Sequence, residues 1–256
     1  MPKQRVVFAI DIGGTKIRGA VVSESGDILV RKDIPSQGEK GEPAAMKRLA
    51  ALLHKMCADL PDTEPVGIGM AIAGTVDPET GLFSNPPNLP SWHGTVPSLD
   101  LGELLGLPSR VHNDASLAAL GEYVFGIGQG TKSLVMITLG TGVGGGIVQD
   151  GHLYGGYRGY AGEIGHLIVD SSGPQCACGG RGHLEMMASG TACARIAKER
   201  LVAGEASLVT KLVRGDLEKV RAETLVKAEG LGDLLAGEVL RDAADYVGVA
   251  VATLRS

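Results

Sequence analysis

Aromatic side chains are scarce in this 256-residue sequence, at 4% with a single tryptophan. Stacking platforms for single-stranded nucleic acid are therefore not expected. No long run of Lys or Arg occurs and the net charge is −5, which disfavours a basic face for nucleic acid or for anionic membrane. No apolar stretch approaches the roughly 20 residues that a membrane-spanning helix needs. The opening MPKQRVVFAIDIGG runs straight into a strand pattern and carries no signal-peptide pattern. Cysteine is limited to Cys57, Cys176, Cys178 and Cys193, which fits a reduced compartment better than a secreted disulfide scaffold. These absences predict a soluble cytoplasmic protein with neither nucleic acid nor membrane as a partner.

Glycine is abundant, at 39 residues, and clusters between apolar segments. Such runs mark tight turns and places where backbone must approach a ligand closely. With 44% apolar and 21% charged residues the composition is that of a globular protein of one large or two ordinary domains. Val6–Ile10, Ile17–Val22 and Ile28–Lys32 read as strands, and 42–58 as a helix from the spacing of Ala45, Leu49, Leu52, Leu53 and Met56. Val66–Ala71 and Arg110–His112 read as further strands, separated by a Pro-, Asn- and Gly-rich loop over Pro78–Pro97 that holds Trp92. A helix is expected over Ala115–Phe125, a strand–turn–strand unit over 134–149, and helices from Thr191 to the amphipathic segment Leu234–Leu254.

Two segments resemble each other. Asp11-Ile-Gly-Gly-Thr-Lys and Thr138-Leu-Gly-Thr-Gly-Val each follow an apolar strand, turn through glycines and re-enter a strand. This suggests two related domains that each open with a glycine-rich hairpin, or else a chance likeness of two such hairpins. A hairpin of the form Asp-x-Gly-x-Thr offers a carboxylate, a hydroxyl and bare amides, which suit a phosphate and its Mg²⁺. An ordinary hairpin with glycine at positive φ explains the first one equally well. Gly140, Gly142 and Gly145 match a dinucleotide pattern, but a strand follows where a helix is required.

Asn113-Asp114 falls between a strand and a helix, where either residue would serve as an N-cap. The same place, at the C-terminal end of a strand, suits a carboxylate that accepts a proton from a substrate hydroxyl. His166, Cys176, Cys178 and His183 are four zinc-type ligands within eighteen residues. A strained disulfide or unrelated core residues are the alternatives there.

Together these motifs resemble the ROK family of sugar kinases and sugar-responsive repressors, most of all its bacterial glucokinases. The matches are Asp11-Ile-Gly-Gly-Thr15, Asn113-Asp114, Leu139-Gly-Thr-Gly-Val-Gly-Gly-Gly146, Gly162-Glu-Ile-Gly-His166 and Cys176-x-Cys-Gly-x-x-Gly-His-x-Glu185. The resemblance implies an α/β protein of two actin-like ATPase domains, 1–112 and 113–256, with a cleft between them. It implies that Asp114 is the catalytic base and that Asn88, Asn113, Glu163, His166 and Glu185 bind sugar hydroxyls. Asp11, Gly13, Gly14, Thr15 and Lys16, with Gly140, Thr141, Gly142 and Gly144, would hold ATP and its Mg²⁺. His166, Cys176, Cys178 and His183 would hold a structural Zn²⁺, with His183 standing where the family usually has a third cysteine.

The implied reaction is ATP-dependent phosphorylation of a hexose, glucose first, at its 6-hydroxyl. N-acetylmannosamine or N-acetylglucosamine are the alternative sugars, polyphosphate the alternative donor, and a homodimer is left open. A repressor is disfavoured, because those relatives carry a helix-turn-helix ahead of the first hairpin. The family's last strand and glycine-rich turn are not found after Arg255-Ser256. The expectation is therefore an incomplete C-terminal domain, with weak binding of ATP and weak phosphorylation.

Overall fold

The computed structural model describes residues 2–84, 86 and 88–255, and the chain falls into two compact units. Asn85 and Pro87, within the proline-rich loop, lie outside the described residues. The first unit comprises the residues up to Leu134 together with Gly146–Gly162. Its sheet is built from β1 (Gln4–Ile12), β2 (Lys16–Ser23), β3 (Ile28–Pro35), β4 (Thr63–Ile72) and β7 (Ser109–Asn113), in the order β3-β2-β1-β4-β7. The β1–β2 and β2–β3 pairs are antiparallel, and β1–β4 and β4–β7 are parallel. Val6, Phe8, Ile10 and Ile12 alternate into the core from β1, as the two-residue period of a strand dictates.

Helix α1 (Glu42–Ala58) covers that face with Ala45, Met46, Leu49, Leu53 and Met56. Pro43 sits in its first turn, where a missing N–H costs nothing. Its range agrees with the one read from sequence spacing. A second helix, α2 (Pro97–Leu105), was not anticipated; it begins on a proline and stops at Gly106, which takes the left-handed conformation at φ 65°. Between β4 and α2 the chain forms the short pair β5 (Thr75–Val76) and β6 (Phe83–Ser84), and buries Trp92.

Helix α3 (Asp114–Phe125) follows β7 directly. It packs Ala119 beneath Gly146, where an added Cβ would lie 2.6 Å from that of Ala119. Helix α3 lies within the first unit, whose bounds run past residue 112. The strands β8 (Ser133–Leu139), β9 (Val143–Gln149) and β10 (His152–Leu153) form a three-stranded sheet ordered β10-β9-β8.

The second unit comprises Val135–Gly145 and the chain from Glu163 onward. It is helical: α4 (Leu184–Ala188), α5 (Gly190–Val202), α6 (Leu208–Leu212), α7 (Ala222–Glu229) and α8 (Leu234–Arg255). Leu235, Ala236, Val239, Ala243 and Ala250 give α8 its buried stripe, at the helical spacing seen in the sequence. Asp233 caps two helices at once. Its carboxylate accepts from Ala236 N at 2.8 Å, from Leu208 N at 2.6 Å and from Ser207 Oγ at 3.0 Å. No helix among the described residues is long and apolar enough to cross a membrane.

Candidate active site

In the first unit the leading glycine hairpin joins β1 to β2. Gly13 N donates to Lys16 O at 3.0 Å, and Ser36 takes both Gly14 O and Thr15 O. Among the described residues the Gly14 and Thr15 amides donate to no other group, so they face solvent ready for an anion. Asn88 lies against this turn: a Cβ on Gly14 would come 2.6 Å from Asn88 Cβ. Only glycine lets the two segments meet so closely.

Two residues of this region escaped the sequence reading. Arg18 stands directly across from Asp11 in the β1–β2 register and donates from Nη1 to Asp11 Oδ2 at 3.1 Å. Asp33 is the next residue in the same row, 3.7 Å from Arg18 Nε and 3.4 Å from Lys16 Nζ. Alternation on β2 puts Lys16 and Arg18 on one face, but the partners follow from register, which spacing alone does not supply.

Asn113 and Asp114 lie where β7 ends and α3 begins, at the carboxyl end of the sheet's parallel strands. Asn113 Oδ1 accepts from Ser116 N at 3.0 Å as the N-cap, and its Nδ2 donates to Gly74 O at 3.1 Å. Asp114 is exposed and accepts from Ala115 N through Oδ1 at 2.8 Å. The first turn of α3 holds its carboxylate in place, and Oδ2 has no partner among the described residues. His112, one strand position earlier, is partly buried; burial and then Arg110 hold its pKa below the ordinary value. It is therefore neutral near pH 7.

In the second unit the other glycine hairpin turns between β8 and β9 through Gly140-Thr141-Gly142. Its carbonyls are taken up by the start of α5: Gly190 N donates to Gly140 O at 2.8 Å and Thr191 Oγ1 to Thr141 O at 2.8 Å. Among the described residues the Thr141 and Gly142 amides donate to nothing. Glu185 Oε2 accepts from Val143 N at 2.9 Å, which ties α4 to this hairpin. Beside Gly140 and Thr141 opens a cavity of about 1470 Å³, walled by α5, α7 and α8. Its walls are largely apolar, with Arg195, Lys198, Arg221 and Lys227 among the lining cations.

The four expected metal ligands do come together. The nitrogen and sulfur atoms of His166, Cys176, Cys178 and His183 all lie within 4.8 Å of one another. His166 Nδ1 is 3.1 Å from His183 Nδ1, Cys178 Sγ 3.4 Å from His183 Nδ1, and Cys176 Sγ 3.8 Å from His166 Nδ1. Zinc bonds of about 2.0 Å to nitrogen and 2.3 Å to sulfur place tetrahedral ligand atoms about 3.3–3.8 Å apart. The donor set therefore fits a tetrahedral zinc ion.

All four cysteines are free, so the disulfide alternative falls away. The knuckle is shaped locally. Cys176 N donates to Gly180 O at 2.8 Å, and Gly179, at φ 94°, turns its amide back to Cys176 O. Gly182 is confined more tightly still, with φ 65° and an added Cβ only 1.5 Å from Asp170 O. Burial, foremost, pushes the Cys176 thiol above its ordinary pKa. With both Nδ1 atoms turned inward, His166 keeps Nε2 outward, 3.9 Å from Glu163 Oε2. The remaining histidines are not part of this cluster: His54, His93 and His152 are exposed and His112 is partly buried. Cys193 packs in the second core and Cys57 against the first.

The chain is 37% identical over 252 residues to a glucokinase of Thermotoga maritima, covering 98% of this chain and 78% of that protein. It is 34% identical to an N-acetylmannosamine kinase of Salmonella arizonae, covering 97% of this chain and 78% of the relative. Among solved structures it resembles a ROK family glucokinase from Streptomyces griseus in complex with glucose and AMPPNP. That match has a TM-score of 0.74 and 33% identity, covering 97% of this chain and 78% of the other. The α/β architecture is thus the actin-like ATPase fold of the sugar kinases. A ROK family model matches residues 7–256, and the chain belongs to that family.

Proposed function

We propose that this protein transfers the γ-phosphoryl group of ATP to the 6-hydroxyl of a hexose, with glucose as the substrate. The observation that carries the reading is Asp114, an exposed carboxylate fixed at the start of α3 with one oxygen unpartnered. In the reaction the sugar O6–H proton passes to Asp114 as O6 forms its bond to the γ-phosphorus. The bond from that phosphorus to the β–γ bridging oxygen breaks, and ADP leaves with the electron pair. The helix start that orients Asp114 also favours its charged form, so orientation of the hydroxyl contributes alongside proton removal.

Phosphate oxygens are assigned to the unpaired amides of Gly14, Thr15, Thr141 and Gly142, with Gly13, Lys16, Gly140 and Gly144 in the same two hairpins. Asp11 is assigned to the water shell of Mg²⁺, which neutralises charge developing on the phosphates. The cavity beside Gly140 and Thr141 is large enough for a nucleoside. Asn88, Asn113, Glu163, His166 and Glu185 are assigned to the sugar hydroxyls. Zinc on His166, Cys176, Cys178 and His183 would order the loop that presents His166 and α4, and would leave Nε2 of His166 free to face the sugar. A cytoplasmic place suits both ATP as donor and four free cysteines.

N-acetylmannosamine is the second reading, favoured by the 34% identity to a kinase of that sugar. A coupled assay of ATP with glucose, mannose and the two N-acetylhexosamines decides between them. Asp114→Asn is expected to lower kcat by about 10²–10⁴ with sugar affinity retained, since the amide hydrogen-bonds but takes no proton. Near-normal kcat would reduce Asp114 to a helix-start residue.

A further inference from the structure

The exposed edge of the first glycine hairpin carries a row of charges, of which the proposed reaction has used Asp11 and Lys16 but neither Arg18 nor Asp33. Asp11, Arg18 and Asp33 are direct cross-strand neighbours on β1, β2 and β3, and Lys16 reaches the same Asp33 oxygen. Two cations and two anions leave the row with no net charge. The Arg18 and Asp11 side chains are 44% and 52% exposed, and an ion pair so solvated adds little to stability. A structural role alone therefore does not account for an arginine at this place.

Its geometry does. Nη1 of Arg18 is held by Asp11 and Nε faces Asp33, while Nη2 has no partner among the described residues. The guanidinium is thus pinned on two sides against the carboxylate assigned to the metal shell, with donors left over. A planar fork fixed this way matches phosphate oxygens. The acidic neighbour matters as well. Without Arg18 the row of Asp11, Asp33 and Lys16 would be net negative and would repel a triphosphate.

We propose that Arg18 is a binding residue of the donor site: it contacts the nucleotide's phosphate oxygens and cancels the negative charge of Asp11 that would oppose them. The inference rests on the reading of the first hairpin as a phosphate site. It is separate from the roles of Asp11 and Gly13–Lys16: Lys16 faces Asp33, and only Arg18 pairs with Asp11.

The charge argument fixes the sign of the effect. Metal-free ATP carries its full negative charge, whereas Mg²⁺ shields part of it. Loss of Arg18 must therefore weaken metal-free ATP more than MgATP.

The test is calorimetric titration of ATP into the intact chain, with and without Mg²⁺, for wild type, Arg18→Met, Arg18→Lys and Asp11→Asn. Arg18→Met is expected to weaken MgATP binding about tenfold, the size of a lost charge-assisted hydrogen bond, and metal-free ATP binding more. Glucose binding and the thermal midpoint should stay where they were. Arg18→Lys should recover part of the loss, because it restores the charge but not the fork. Unchanged ATP affinity in Arg18→Met, or equal losses with and without Mg²⁺, would overturn the proposal. Asp11→Asn provides the separation: if it leaves the Mg²⁺ dependence intact, the metal assignment of Asp11 fails while that of Arg18 stands on its own titrations.

Discussion

The two glycine hairpins look alike in sequence and work by different physics. The first, between β1 and β2, is a charged turn. Asp11, Lys16, Arg18 and Asp33 ring it, and its backbone is open to solvent. The second, between β8 and β9, has no ionic side chain in its turn and is gripped from below. Glu185 holds Val143 N, α5 holds the carbonyls of Gly140 and Thr141, and Ile164 fills the space under Gly145. One hairpin presents side chains, the other presents bare backbone that packing has fixed. A repeated glycine pattern therefore identifies a shared shape without identifying a shared chemistry.

The strongest way to break the second region is through its metal knuckle. On the proposed zinc assignment Cys178→Ala removes one of four donors, and bound zinc measured by atomic absorption should fall from one per chain to near zero. Sugar affinity should fall with it, because His166 would lose its proposed anchor on Nδ1, whereas the first hairpin, assigned to ATP, is untouched. A folded, zinc-free wild type that binds sugar normally would contradict the metal assignment. Next in size is Gly145→Ala. Its Cβ would lie 2.4 Å from Ile164 Cδ1 and within 3 Å of two more Ile164 carbons. Such overpacking costs about 1–3 kcal/mol, readable as a lower urea midpoint. Gly69→Ala on β4, with nothing within 4 Å of the new atom, is the matched control and should be near neutral. Equal losses at both positions would mean that the second hairpin is not under steric constraint.

How far the sequence exposes these differences depends on what each feature rests on. Helix α1 is legible end to end, since its apolar spacing and Pro43 are local signals. The zinc-type cluster is legible because ligand chemistry restricts it to few residue types. Strand cores are legible but their ends are not: Gln4 and Arg5 on β1 and Asp33 on β3 are polar, and pair because the backbone ladder continues through them. Helix α2 hides behind Pro90 and Pro97, which read as loop until the proline is seen to occupy the first helical turn. The Arg18–Asp11–Asp33 row needs the strand register, and Glu42 needs a neighbour from a distant helix. Both are tertiary facts, and no periodicity announces them.

Glu42 gives an effect that shows only as pH rises, and it sharpens the contrast between exposed and buried charge within the first unit. It opens α1, where a helix start favours a carboxylate, yet it is only 1% exposed. Neither of its oxygens has a hydrogen-bond partner when the group is ionised. Burial first, and then the Asp100 carboxyl on α2, with which a Glu42 proton would be shared, push its pKa up to about 8. Between pH 4.5 and about 8 the folded chain thus holds a proton that the unfolded chain releases. Stability from this group is complete below pH 4.5 and is lost as pH rises through that window. Glu42→Gln keeps the shape and removes the titration. The variant should match wild type near pH 5 and exceed it at pH 9 by an amount on the order of a few kcal/mol. Urea titrations at pH 5, 7 and 9 read this directly. Parallel pH profiles for the two proteins would show that Glu42 is ionised in the folded state and that burial at the start of α1 is not dry.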